Sequence, residues 1–518
     1  MKNIFLTAFA LLSLASCSNY LDDPNSDFTN NPFNSQLNPA KKLASAELNY
    51  LNHEVFNYNR YGNNMTYTYA QNFGFTGSDA PWNFDYTSKS YSFLFENSFL
   101  FTDNFQDIID AIPAYPTYKR HAAIAKILKV QGMEKLINLY GDVPYSEAFN
   151  TNNLKPRYDD DKAILVSLLN LLDEARLDIA NAPSDPTLLP VGAEDIVFKG
   201  NMGLWAQYAN TIELRMLLKL SNTTDASLIT LRNDRFALLN NNFITNDVSY
   251  NPGFTGNTTA QSNPLFRLYG TIGNGGDETT SFLANAAGDF PAKIINGIYN
   301  SPELVTTGLI DPRRIRMFNL KGTRVKGALQ NVNPASEVSR LSVFINGNVG
   351  AFGFKNGSER DAYAMLAAES YFLQAEAAER GYIIGDSHAL FDQGITASFD
   401  FYNRSVGAAV LPVLNSATYI TNIDTRIGLG WTASPNKISA IMTQKYLALT
   451  QWTGIEPYFD FLRTGFPVIP LPEGVTLPNR ANRLMYPSSE YSSNSANVPN
   501  VTKADLFTIN AKTPYYLQ

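Results

Sequence analysis

The chain has 518 residues, 44% of them hydrophobic and 17% charged, with 40 Lys plus Arg against 47 Asp plus Glu. That balance excludes disorder and rod-like repeats, and a net charge of -7 leaves no basic field to gather nucleic acid. A single Cys excludes a disulfide framework within the chain and any Cys-based metal site, and aromatics reach 13% of residues beside only three His.

In chain order, Lys2 is followed by an apolar run from Ile4 to Leu14 that is too short to span a bilayer. Leu14-Ala15-Ser16-Cys17 then fits a bacterial lipobox, in which a signal peptidase cuts before a Cys whose thiol receives a diacylglycerol. Residues 1–16 are therefore expected to be a lipoprotein signal peptide and Cys17 the lipidation site, with two or three acyl chains giving the stable attachment that one chain lacks. Residues 17–40 are polar, carry Pro24, Pro32 and Pro39, and read as a leader away from the lipid. Length alone allows about three domains, but the helical pattern suggests one domain over residues 41–518 with long inserted loops.

Helical periodicity dominates that domain. Ile127, Val130, Met133, Ile137 and Tyr140 recur at steps of three or four, and Gly141 ends the run. A second stripe, Leu165, Leu168, Leu172, Ala175 and Ile179, follows Asp159, Asp160 and Asp161, which suit a helix start, and precedes Pro183 and Pro186. The third runs through Trp205, Ala209, Ile212, Met216 and Leu220, the fourth through Met365, Ala368, Phe372 and Ala375, and the last through Ile438, Ile441, Met442, Leu449 and Trp452. Leu43 to Phe56 is a weaker sixth. Small residues beside large ones, as at Ala375, Ala377 and Ala378 next to Tyr371 and Phe372, allow close helix pairing, although no repeat of fixed period is visible. Between the helices, Asn57 to Lys89, Asn241 to Ala292 and Asn319 to Arg360 read as long irregular segments, the places where function is usually carried.

Catalytic constellations are missing. His53, His121 and His388 are far apart and read as surface or capping residues, and there is no HExxH, GxSxG or Walker loop. Gly428 to Ala433 spells GxGxxA, but no strand precedes it and Pro435 follows it. Asp79, Asp85, Asp277 and Glu278 lie in loops where a glycosidase pair could form, yet nothing in their spacing points to one. Gly273 to Glu278 lacks the acidic ladder of an EF-hand, so no metal is assigned and no cofactor is expected.

Aromatics and amides fill the first long segment. Tyr58, Tyr61, Tyr67, Tyr69, Phe73, Phe75, Trp82, Phe84, Tyr86 and Tyr91 interleave with Asn63, Asn64, Gln71, Asn72, Asp79 and Asn83. A sugar presents an apolar C–H face that lies flat on an aromatic ring and a hydroxyl edge that needs paired donors and acceptors. About two-thirds of these rings are expected to be core. The ligand-binding candidates are Trp82, taken as the most exposed ring, with Asn83, Tyr86, Asp79 and Phe75, and the later-loop residues Tyr269 and Phe354.

At this point the chain resembles the SusD/RagB-like nutrient-binding outer-membrane lipoproteins of Bacteroidetes, in particular their second SusD-like subgroup. The matching segments are Tyr140 to Ala148 (YGDVPYSEA), Pro156 to Asp159, Asp195 to Asn222, Ala368 to Gly381, Gln444 to Trp452, Arg463-Thr464-Gly465 with Pro467, and the closing Arg483, Tyr486-Pro487 and Glu490. Leu462 departs from the pattern, standing where the family often has an Arg. The resemblance implies a mainly α fold, a right-handed superhelix of paired helices similar to tetratricopeptide repeats, with long irregular loops forming a ligand face. It implies scaffold roles for Gly141, Pro144, Arg215 and Arg463. It also implies a cell-surface position on the outer membrane, held by the lipid, and a SusC-like TonB-dependent transporter as partner, over which the protein closes as a lid. Ligand residues vary within the family, so none transfers. The expected function is capture of an oligosaccharide for that transporter, without catalysis. A peptide ligand on the same architecture and a lipid-anchored glycoside hydrolase are the alternatives, and a structural subunit that closes the transporter without binding anything is a third.

Overall fold

The computed structural model describes residues 38–75, 80–150, 152–272, 276–341, 357–404 and 413–518. Cys17, Asp79 and Phe354 lie outside the described residues. The longer helices are α1 (Pro39–His53), α2 (Ser92–Asp110), α3 (Lys119–Tyr140), α4 (Asp161–Asn181), α5 (Met202–Lys219), α6 (Ala226–Leu238), α7 (Ala367–Glu379), α8 (Ser387–Arg404), α9 (Lys437–Leu449) and α10 (Ile455–Thr464). Helices consecutive in the chain pack on one another, α1 on α2, α2 on α3, α3 on α4 and α7 on α8, while α9 returns to α7. The architecture is mainly α, with helices paired as in tetratricopeptide repeats. No helix among the described residues is long and apolar enough to cross a membrane.

Local chemistry sets the helix ends. Gly141, at φ 71, closes α3 and its N–H donates to the Ile137 carbonyl at 2.9 Å, a left-handed position that a side chain would strain. Asp160 caps α4 by accepting from the Ala163 N–H at 3.0 Å, and Asn201 and Asp225 do the same for α5 and α6. The five apolar stripes fall on α3, α4, α5, α7 and α9, and their central residues are buried. Short strands pair antiparallel, β1 (Tyr69–Gln71) with β5 (Asn285–Ala287), β2 (Val143–Pro144) with β3 (Tyr158–Asp159) and β4 (Val248–Tyr250) with β6 (Ala362–Met365). Met365 is an exception among the stripe residues, because it ends β6 opposite Val248 and its helix starts two residues later.

Helices α2, α6, α8 and α10 carry no stripe singled out from sequence. In α2 the buried face is Leu94, Phe95, Ser98, Thr102, Phe105 and Ile108, so two hydroxyl residues interrupt the apolar pattern. Each satisfies itself within the helix, Ser98 donating to the Leu94 carbonyl and Thr102 to the Ser98 carbonyl, both at 2.6 Å.

Two adjoining cores result. One gathers α1 to α6 with the C-terminal segment, the other gathers α7 to α9 with the loops around Tyr69, Phe290 and Phe318, and Phe461 of α10 touches both. Buried charge crosses the helix junction. Arg215 of α5 reaches Glu134 of α3 and Glu369 of α7, both at 3.3 Å, and Glu456 of α10 at 3.5 Å, while Lys219 lies 3.0 Å from Glu456. Arg463 pairs with Glu376 at 2.5 Å and with Asp460 at 2.9 Å. Burial alone would push the Glu456 carboxyl up, but Arg215, Lys219, Lys135 and Lys445 outweigh it and hold the group below the usual carboxylate range. Arg215 and Arg463 are thus internal ties between helices, and both are buried.

Two of the three His also differ from expectation. His53 is buried against Ser98 at 3.0 Å and Asn57 at 2.7 Å, and burial, with Lys135 nearby, pushes its imidazole down to about 3, so it is neutral. His121 is buried too and meets Glu194 at 3.0 Å. Both sit on apolar helix faces that sequence spacing did not assign to them.

Candidate functional site

Segments distant in the chain meet beside the second core. Strand β1 (Tyr69–Gln71) pairs antiparallel with β5 (Asn285–Ala287), Tyr69 opposite Ala287 and Gln71 opposite Asn285. The third segment joins the same patch, since Arg340 bridges to Ala286 and the Ala287 N–H donates to the Ser339 carbonyl at 2.8 Å. Gln330, fully buried, stitches the layers. Its side-chain amide donates to the Asn64 carbonyl at 2.8 Å and the Tyr69 carbonyl at 2.7 Å, and its backbone N–H donates to the Tyr67 hydroxyl at 2.8 Å. The described parts of the three long segments singled out from sequence therefore meet in one patch.

The first of them is less irregular than its composition suggests. A π-helical turn, Glu54–Asn59, runs into a short helix, Arg60–Met65, before β1, and Ala80–Asn83 forms another turn of helix. Asn59 and Asn63, which read as loop residues, are buried and tie this stretch to the turn after α9: Asn59 donates to the Gln451 carbonyl at 2.8 Å and accepts from the Gly454 N–H at 2.8 Å.

Burial corrects the choice of aromatic residues. Trp82, expected to be the exposed ring, is 7% exposed, and its indole N–H has no hydrogen-bond partner among the described residues. Tyr86 is buried with its hydroxyl 3.4 Å from the Met65 sulfur, and Tyr269 is buried edge-on to Tyr69 with ring centroids 5.4 Å apart. All three rings are buried, Tyr86 in the first core and Tyr269 in the second, because turns that looked irregular in sequence fold them inward. Asn83 is exposed, and its carboxamide oxygen accepts from the Asp85 N–H at 2.9 Å, while Phe75 is half-buried.

Phe73, by contrast, is 46% exposed. It sits at the tip of a tight turn that its neighbours brace. The Asn72 backbone N–H donates to the Ala284 carbonyl at 2.9 Å, its side-chain amide donates to the Leu283 carbonyl at 2.8 Å, its side-chain oxygen accepts from the Phe73 N–H at 2.9 Å, and Gly74 takes φ 74. Gln71 closes the turn by donating to the Phe75 carbonyl at 2.6 Å. Sequence reasoning placed Phe73 in the aromatic stretch but not among the site residues; the Asn-Phe-Gly turn signature at Asn72 to Gly74 was the available signal. Ile272 and Leu283 of the second segment are exposed as well.

Polar groups flank these side chains. The Arg340 guanidinium lies 3.9 Å from the Phe282 ring centroid and reaches both Glu278 oxygens, at 3.0 and 3.4 Å. Stacking and the forked contact hold it flat, and its Nε has no partner among the described residues. Glu278 is paired with Arg340, and Asp85 with Lys503. Among the described residues the only group of three or more His, Cys, Asp or Glu side chains close enough to share a cation is Asp142, Asp160 and Asp161, within 4.8 Å of one another between α3 and α4. There they serve the backbone: Asp142 accepts from the Asp161 N–H, Asp160 caps α4, and Asp161 accepts from the Tyr515 N–H. The GxGxxA stretch is a chain of turns before α9 with no preceding strand.

Comparisons with known proteins identify the family and the fold. A family model described as SusD-like, starch-binding and associating with the outer membrane matches residues 31–487. The chain belongs to the SusD-like family. Among solved structures, a chitin-binding SusD homologue from Flavobacterium johnsoniae superposes with a TM-score of 0.67 at 19% identity, covering 91% of this chain and 97% of that one. A SusD homologue from Bacteroides fragilis gives 0.64 at 20% identity over 89% and 94%, and one from Bacteroides vulgatus gives 0.66 at 17% over 88% and 94%. At such identities the likeness establishes the SusD-like fold. A comparison with curated proteins gives no match.

Proposed function

We propose that this SusD-like protein binds an oligosaccharide at the face built by β1, β5 and the 278–340 segments, and passes it to a SusC-like TonB-dependent transporter as that transporter's lid. The observation that carries the reading is Phe73, a ring held out on a braced turn, on a sheet patch that also holds the flat Arg340–Glu278 pair. An exposed ring offers the stacking surface for a sugar C–H face, while Asn83, Arg340 and Glu278 offer donors and acceptors for hydroxyls. The family's description as starch-binding and the chitin-binding relative support a glycan over a peptide. The lipobox at Cys17 supports attachment at the outer-membrane surface by a lipid, where a captured sugar is close to a transporter mouth.

Isothermal titration with chito- and malto-oligosaccharides tests the reading. Saturable binding that Phe73→Ala weakens by about 1 to 2 kcal/mol is the expected result, the cost of losing one anchoring ring. Binding on a peptide array with none on a glycan array would replace the sugar with a peptide. Co-purification with a barrel protein tests the partner, and release of Cys17→Ala into the soluble fraction tests the anchor.

A further inference from the structure

A concavity of ≈ 500 Å³ lies away from that face, between α2, residues 144–150 and 152–156 and the short helix Ser488–Ser493. That is the size of a small-molecule pocket, and none of its lining residues belongs to the glycan face. Its floor is aromatic: Phe95 and Phe99 lie 4.9 Å apart by ring centroid, and Phe99 and Phe149 5.9 Å. Phe149 is held at φ 59, a left-handed conformation that costs a bulky residue energy and that clusters at binding sites. The buried Lys129 ammonium stands 4.7 Å from its ring centroid, fixing the ring in place.

The rim carries the opposite character. Glu96, Asp103 and Glu490 line the groove, and no Lys or Arg does. Neutral donors orient two of them, since Glu96 accepts from the Ser489 hydroxyl at 2.6 Å and Glu490 from the Tyr158 hydroxyl at 2.8 Å. None of the three forms an ion pair among the described residues, although most carboxylates of the helical core do. Three carboxylates without an ion pair beside an aromatic floor favour a positive charge carried on an apolar body, because the charge gains from the carboxylates while the body packs on the rings.

We propose that this groove binds a small organic cation, an aryl- or alkylammonium ion, with its apolar body on Phe99 and Phe149 and its ammonium among Glu96, Asp103 and Glu490. Partial desolvation, together with Asp107 and Asp110 on the same helix, pushes the Asp103 carboxyl up to about 6 against the opposing charges of Lys129 on α3 and Lys42 on α1. Cation binding needs that carboxyl ionised, so affinity falls as pH drops through about 6.

Isothermal titration of the full chain with tryptamine, the neutral alcohol tryptophol and the anion indole-3-acetate separates charge from shape. The expected result is one-site binding of tryptamine at pH 7.5, roughly tenfold tighter than tryptophol, with no binding of the anion. Affinity should fall with added NaCl, between pH 7.5 and 5, and by roughly tenfold or more in the Glu96→Gln, Asp103→Asn double variant. Equal binding of the three indoles, or undiminished tryptamine binding by a double variant whose unfolding temperature matches the parent, would overturn the proposal. Should the double variant fail to fold, the pH and salt responses of the parent decide: affinity indifferent to both overturns it as well.

Discussion

The helix junction around Arg215 and the face around Phe73 use polar residues in opposite ways. At the junction, Arg215, Lys219, Glu134, Glu369 and Glu456 are buried and spend their charges on one another, tying α3, α5, α7 and α10. At the face, Asn72 and Gln71 spend their amides on the backbone so that a ring can stand in solvent. The difference separates scaffold from site: where polar groups are buried and mutually satisfied they fix geometry, and where they brace an exposed apolar group they present a surface.

That contrast is open to attack by substitution. Arg215→Ala takes the ion-pair partner from Glu369 and leaves Glu134 and Glu456 with Lys219 alone, and should cost about 3 to 5 kcal/mol in a denaturant melt; a loss near zero would mean the junction is hydrated and not structural. Trp82→Ala should cost stability by about 3 kcal/mol, the price of an emptied aromatic site, and any fall in glycan affinity should follow from loosened support. Gln330→Ala removes the hydrogen bonds its amide donates to the Asn64 and Tyr69 carbonyls and should lower stability by about 1 to 3 kcal/mol, weakening sugar binding as the segments drift. Phe73→Ala should leave the melt within about 0.5 kcal/mol of the parent, because its ring is half in solvent, while its affinity for glycan falls. If Phe73→Ala destabilised the fold as much as Trp82→Ala, the division between support and surface would fail.

The sequence showed the helices best where their buried faces are purely apolar, as on α3 and α4. It missed α2 because Ser98 and Thr102 occupy core positions, and hydroxyls that bond within their own helix carry no apolar signal. The junction was legible only through resemblance: Arg215 and Arg463 were expected as anchors, but nothing in spacing pairs Arg215 with a glutamate 241 positions away. The three segments of the face were legible as long, amide-rich stretches. Which ring faces water was not, because Trp82 and Phe73 stand in similar local company, and their burial is decided by what folds over them from residues far along the chain. The turn at Asn72 to Gly74 held a local clue, since Asn before a Phe-Gly pair favours a tight turn with its ring at the tip.

The most direct test of the central claim is a paired titration of the parent and Phe73→Ala with chitooligosaccharides and maltooligosaccharides, each protein also melted in the same buffer. The account predicts saturable binding by the parent to at least one series, and a variant that melts like the parent but binds about 1 to 2 kcal/mol more weakly. A parent that binds one series and a Phe73→Ala variant that binds it equally well would contradict it.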